Sequence, residues 1–248
     1  MPKPLVKRHD SDGVATLTLN RPEVLNAISA DSFRELRAHV DDIVARPDEV
    51  GCVVLCGAGR SFCAGADLKA FKNRKPTDSD PTTFNRATMT ALASLPQPVI
   101  AAVHGHCMTG GLELALTSDI IIAADNTRFA DTHQKLGLHA GWGLTQRLPR
   151  RIGSAMAKEM MFSGREVLTD EALRIGLVNR VVPLDRLQDE VQALAALIAS
   201  HPRGVARWVK TVIDKGSEMT LGDGLALEIE TNPGRNPDLE ARLSKGGF

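Results

Sequence analysis

His104-Gly105-His106-Cys107-Met108-Thr109-Gly110-Gly111-Leu112-Glu113-Leu114-Ala115-Leu116 is the stretch on which the reading of this 248-residue chain turns. An apolar run, Val99-Ile100-Ala101-Ala102-Val103, leads into it behind Pro98. A run that short and β-branched reads as a buried strand. Gly110-Gly111 breaks it, and Leu112 to Leu116 restarts as a helix. A strand, a glycine turn and a helix N-terminus leave backbone N–H groups free to meet a ligand. Glycine there lets the ligand approach the main chain closely. Glu113 falls in the first helical turn, beside those donors. Donors and a carboxylate at one turn suit a reaction that builds negative charge on an oxygen and moves a proton nearby. Many α/β proteins carry a Gly-Gly turn before a helix, so the rest of the chain must decide.

Apolar residues make up 43% of the chain and charged residues 24%, which is ordinary for a globular protein with a sizeable core. Lysine plus arginine and aspartate plus glutamate balance at 30 each, so no net field attracts nucleic acid or an anionic membrane. Cys52, Cys56, Cys63 and Cys107 show no metal-site spacing. They read as buried free thiols of a reducing compartment. No signal-peptide core or membrane-length apolar run is present, and the expectation is a cytoplasmic protein without a metal.

Val14 to Leu19 alternates apolar and polar, and Pro4 to His9 can pair with it across Asp12-Gly13. Ser29 or Asp31 caps a helix to about Ala45, with Phe33, Leu36, Val40 and Ile43 on one stripe. Val50 to Cys56 and Ile120 to Ala124 read as further buried strands. Asp78 to Leu95 is helix-like behind a polar loop from Asn73 to Thr83. Strands alternating with helices indicate an α/β fold. From Ser154 the pattern turns mostly helical: Ser154 to Phe162, Thr169 to Ile175, Leu184 to His201, Arg203 to Lys215 and Leu221 to Thr231. Val178 to Val182 is a short strand, and a last helix falls around Leu239 to Leu243.

A second turn, Gly59-Arg60-Ser61-Phe62-Cys63-Ala64-Gly65-Ala66-Asp67-Leu68, has the design of the first: a buried strand, small residues, then an acidic helix start. Two such turns can pinch one oxygen between two amides, which is the geometry of an oxyanion hole. At this point the sequence resembles the crotonase, or enoyl-CoA hydratase/isomerase, superfamily. The matching pieces are Leu19-Asn20-Arg21-Pro22 with Leu25-Asn26-Ala27, Phe62 to Lys69, and Gly105 with Gly110 to Ala115. Gly141-Trp142-Gly143-Leu144-Thr145-Gln146-Arg147-Leu148 and Gly176 to Val182 follow in the same order.

The resemblance implies a crotonase-like spiral of ββα turns, with an acyl-CoA-binding core over residues 1–190. It implies a C-terminal helical region, 191–248, that builds a homotrimer or a dimer of trimers. The substrate would be an acyl-coenzyme A thioester, with no separate cofactor. The amides of Ala66 and Gly110 would hold the thioester oxygen. Coenzyme A would lie along Glu23, Val24, Asn26 and Ala27 and along Ala64, Gly65, Asp67 and Leu68. Gly111 and Trp142 would complete the binding site, with His139 beside Trp142 and Lys69 as a phosphate contact or a solvated lysine.

Hydratases of this family set two glutamates around one water. Glu113 matches one. The other is expected in Ala130-Asp131-Thr132-His133-Gln134-Lys135-Leu136-Gly137-Leu138, where His133 occupies its position. Asp131 is a second candidate, although a strand-like path would turn it and His133 to one side and Thr132 to the other. A carboxylate near pKa about 4.3 and an imidazole near about 6.5 can share acid and base roles. A cationic imidazole would lower the pKa of Glu113, and the helix N-terminus and backbone donors are expected to keep it ionised. Hydration of a 2-enoyl-CoA is the leading expectation. An isomerase with Glu113 as single base, and an acyl-CoA-binding protein without turnover, are the alternatives. A serine-peptidase relative of the same spiral would need a serine beside Gly110, where Met108-Thr109 stands. His104 and His106 suit packing or the surface, Cys107 is a candidate thiol, and Met108, Met160 and Met161 fill core.

Overall fold

The computed structural model describes residues 3–69, 81–235 and 239–244. The opening hairpin pairs β1 (Val6–Ser11) with β2 (Val14–Leu19) in antiparallel register, Val6 opposite Leu19. Asp12 and Gly13 between them both take positive φ, as a two-residue turn matched to the strand twist requires. Next come β3 (Cys52–Gly57), β4 (Val99–Val103), β6 (Ile120–Ala124) and β9 (Arg180–Val182). Among the described residues they extend one sheet in the order β1-β2-β3-β4-β6-β9, parallel from β2 onward. Parallel strands are covered on both faces, which is why β3 and β4 read as unbroken apolar runs.

Alternate side chains serve two cores. Leu17, Val53, Leu55, Ala101 and Ile121 face the larger one, with Phe33, Leu36, Val40 and Ile43 of α1 (Ala30–Ala45). Val14, Cys52, Val54, Ile100 and Ile122 face Leu187, Val191 and Ala195 of α8 (Leu187–Ser200). Ser29 caps α1 through a capping box with Ser32. The helix expected over Asp78 to Leu95 is α2 (Thr82–Ala93), with Pro81 at its N-cap. A proline disfavours helical backbone in the residue before it. The expected loop from Asn73 lies outside the described residues as far as residue 80.

A smaller sheet explains the site. β5 (His106–Met108) pairs parallel with β7 (Arg128–Ala130), which pairs antiparallel with β8 (Val167–Leu168). Cys63 bridges to Cys107, so the segment after β3 extends this layer. Three successive turns therefore share one plan. β3 leads to Cys63, β4 to β5 and α3 (Gly110–Ala115), and β6 to β7 and α4 (His133–Leu136). The third lacks the glycines of the others, so the sequence shows no repeat there. The expected strand path through Asp131 to His133 is corrected here. β7 ends at Ala130, and the chain enters α4 after Thr132.

Beyond these lie α5 (Leu144–Ile152), α6 (Ser154–Ser163) and α7 (Thr169–Arg174). The chain then runs through α8, α9 (Arg203–Gly216), α10 (Leu221–Thr231) and α11 (Leu239–Ser244). α8 spans residue 190 and packs on the sheet, so the helices that stand off the core begin with α9. Among the described residues no helix is long and apolar enough to cross a membrane.

Candidate active site

The three turns converge on a cavity of about 100 Å³. Ala66 lines it from the first turn, Gly110 and Glu113 from the second, and His133 from the third. Trp142, His139, Leu68, Leu138 and Asn85 complete much of the wall. The first two turns are stitched together by Cys63 N–H donating to His106 O at 2.9 Å and Met108 N–H to Cys63 O at 3.0 Å. Two close approaches depend on missing side chains. A Cβ on Gly111 would sit 2.3 Å from Cys63 O, and one on Gly110 would sit 2.5 Å from the Trp142 ring and 3.4 Å from the Ala66 nitrogen. Gly111 therefore serves the packing of α3 on the first turn. Thr109, just before, takes φ 54 and ψ −111. That conformation is strained for a β-branched residue, by roughly 1–3 kcal/mol, and such strain collects at functional sites. It is held by Thr109 N–H on Ala130 O at 2.8 Å and by a 2.6 Å hydroxyl pair with Thr132. Among the described residues, neither the Ala66 nor the Gly110 amide donates to a protein acceptor.

Glu113 is buried, 1% exposed. Its Oε1 accepts from the amides of Trp142 at 2.8 Å and Leu144 at 3.2 Å, where α5 begins. Oε2 has no partner among the described residues. Burial pushes the carboxyl above its usual value, against the opposing pull of the Trp142 amide, His133 and the Leu144 amide. The expectation that helix-end donors and an imidazole hold it low is thus corrected. Two amides on one oxygen do not replace the water lost by sealing a carboxylate among apolar groups. Arg147 lies close enough to feel this charge, but its guanidinium donates to Trp142 O at 2.9 Å. The Trp142 ring is set edge-on to Phe33 at 4.9 Å, which fixes the cavity wall.

His133 stands at the start of α4 with its side chain 13% exposed. Its Nδ1 lies 2.6 Å from Oδ1 of Asp131, which also accepts the His133 amide at 3.1 Å. Asp131 is 1% exposed.

The entry loop lies apart from the chemistry. Glu23 is exposed on a 3-10 turn, Pro22–Val24, and Leu25 and Asn26 follow with positive φ. Asn26 is buried and braces the loop: it donates to Ala58 O and Ser61 O and accepts from the Arg21 amide. Ala64 N–H donates to Leu25 O at 2.9 Å, next to Ala27 and the half-buried Val24. Arg21 pairs with Asp67 at 2.8 Å, tying this loop to Gly65 and Leu68. Lys69 is exposed. His104 reaches Gly59 O and His106 reaches the Ser61 hydroxyl, so both brace loops outside the cavity. Cys107 is sealed, and burial pushes its thiol well up, which removes it as a reactive group.

Residues 9–234 match the family described as enoyl-CoA hydratase/isomerase. The chain belongs to that family. It is 38% identical over 224 residues to a probable enoyl-CoA hydratase of Mycobacterium tuberculosis, covering 90% of this chain and 86% of the relative. It is 38% identical over 219 residues to a short-chain-enoyl-CoA hydratase of Clostridium acetobutylicum, covering 88% and 84%. The crystal structure of an enoyl-CoA hydratase from Bacillus anthracis superposes with a TM-score of 0.93 at 33% identity, over 98% of this chain and 96% of that one. The mixed α/β spiral with its helical C-terminal region is thus the crotonase fold. Within this hydratase/isomerase frame, sequence reasoning passed over the contact of Asp131 with His133 and the Thr109–Thr132 pair. Their one signal was the run of polar residues Asp131-Thr132-His133 directly after an apolar strand end.

Proposed function

We propose that the cavity adds water to the double bond of a 2-enoyl-CoA thioester, giving the 3-hydroxyacyl-CoA. The observation that carries this reading is the pair of unpartnered amides, Ala66 and Gly110, in one cavity with the free Oε2 of Glu113. The amides hold the thioester oxygen as it gains enolate charge. Water bonds to the carbon two positions from the carbonyl carbon. Its proton goes to one of Glu113 and His133, and the other gives a proton to the carbon next to the carbonyl. Glu113 is the main group. Glu23 to Ala27 and Ala64 to Leu68 carry the coenzyme A portion. Shift of a 3-enoyl double bond is the second reading, favoured by the single cavity carboxylate that remains where His133 replaces a glutamate.

The assay is direct. Purified protein is given crotonyl-CoA, a longer 2-enoyl-CoA and a 3-enoyl-CoA, and each product is followed. Hydration of the 2-enoyl substrates is expected. Turnover of the 3-enoyl-CoA alone selects the isomerase. Acyl-CoA binding without any turnover selects the binding protein. We also assign assembly into a homotrimer, or a dimer of trimers, to the C-terminal helices. Ile213, Leu221 and Ile229 there are 64%, 81% and 79% exposed, which suits burial against other copies. A sedimentation mass near 26.7 kDa at micromolar concentration contradicts that assignment.

A further inference from the structure

His133, the residue that departs from the two-glutamate pattern, has a buried carboxylate as its partner. We propose that Asp131 is a positioning residue for His133: its carboxylate holds the imidazole by Nδ1, leaves Nε2 toward the cavity, and makes His133 the base that takes the proton from water. This rests on the hydratase reading above.

Asp131 Oδ1 accepts both the backbone N–H and Nδ1 of the same histidine, at 3.1 and 2.6 Å. One oxygen thereby fixes both the entry into α4 and the plane of the ring. A buried carboxylate at that distance selects the tautomer with hydrogen on Nδ1, because the acceptor cannot donate when ionised. Nε2 then carries the lone pair, and it has no partner among the described residues. The third turn is itself tied to the second by the Thr109–Thr132 hydroxyl pair and by Thr132 N–H on Thr109 Oγ1 at 3.3 Å. The imidazole and the Gly110 amide therefore share one brace.

The chemistry balances. Nε2 takes a proton from water as the oxygen bonds to the substrate carbon. The enolate carbon takes a proton from Oε2 of Glu113. The proton on Nε2 then passes to the Glu113 carboxylate, which resets the site with one water added. Two carboxylates again serve the reaction, one directly and one through an imidazole. Other charged groups near His133 are few among the described residues. Glu113 faces it from α3, and His139 lines the same cavity. Lys135 shares α4. Lys158 and Glu159 of the neighbouring α6 are exposed, and Glu159 is paired with Arg165.

Three measurements on the full-length protein test this. In the native enzyme, ¹⁵N NMR of the His133 ring at pH 8 is expected to show hydrogen on Nδ1; hydrogen on Nε2 overturns the proposal without any variant. Asp131→Asn keeps the shape, and it is expected to lower kcat for crotonyl-CoA about tenfold with KM changed less than about twofold. In a His133→Ala background, Asp131→Asn is expected to add nothing; a further multiplicative loss there marks a merely structural role and overturns the proposal. Wild-type kcat in Asp131→Asn, beside a weakened His133→Ala, also overturns it. Wild-type kcat in His133→Ala instead removes the parent role of His133, so the two failures are told apart.

Discussion

The second and third turns of the spiral follow one ββα plan and hold their reactive groups in opposite ways. In the second, Glu113 is fixed by main chain: Gly110-Gly111 lets α3 pack against Cys63, and two amides grip one carboxylate oxygen. In the third, His133 is fixed by side chains: Asp131 grips the ring, and Thr132 bonds to Thr109. A group held by backbone has little freedom to change without rebuilding the fold. A group held by side chains can be exchanged with local repacking. The departure from the two-glutamate pattern falls in the turn of the second kind.

The largest expected effect comes from the backbone-held side. Glu113→Gln keeps an acceptor for the two amides and removes the group that carries a proton, so kcat should fall by about 10²–10⁴ while acyl-CoA binding is nearly unchanged. Turnover of every enoyl-CoA at the native rate would end the mechanism. Gly110 comes next. Gly110→Ala keeps the donor but drives a methyl into the Trp142 ring, and Gly110→Pro adds loss of the N–H. The proline variant, checked for folding by circular dichroism, should turn over about 10²–10³ more slowly than the alanine variant. Equal rates would mean that this amide holds no developing charge.

The same contrast explains what was legible. Glycine turns after apolar strands announce themselves, because only certain residues allow a main chain to pass within 2.3 Å of where a Cβ would be. Val14 to Leu19, the Ser29 cap and the stripe Phe33, Leu36, Val40 and Ile43 stand as the pattern predicts, since burial and capping are local. The third turn carries no such mark. Alternation suggests a strand through Asp131 to His133, and the carboxylate overrides it by bonding the amide that starts α4. The raised carboxyl of Glu113 is equally hidden, because desolvation depends on Trp142, Leu144 and the cavity wall assembled from distant segments.

His133→Ala tests the side-chain-held turn. Its expected loss is roughly tenfold to a hundredfold, smaller than at Glu113. A loss larger than that of Glu113→Gln would invert the order of the two turns.

The smallest effect concerns stability and runs opposite to activity. Burial lifts the folded-state pKa of Glu113 above the unfolded value of 4.5. Between those two values the folded protein holds more protons than the unfolded chain, so stability falls as pH rises through that window. Above it, the ionised carboxylate is a fixed cost. A glutamine side chain at this position does not ionise, and its carbonyl can still accept from the Trp142 and Leu144 amides. Glu113→Gln should therefore melt at a higher temperature than the native protein at pH 8, with the difference shrinking as pH is lowered toward 4. Calorimetry across that range reads it. A variant that melts lower at pH 8, with the gap narrowing as pH falls below 4.5, would show that the two amides outweigh burial and that the main-chain grip, rather than desolvation, sets the charge of this carboxylate.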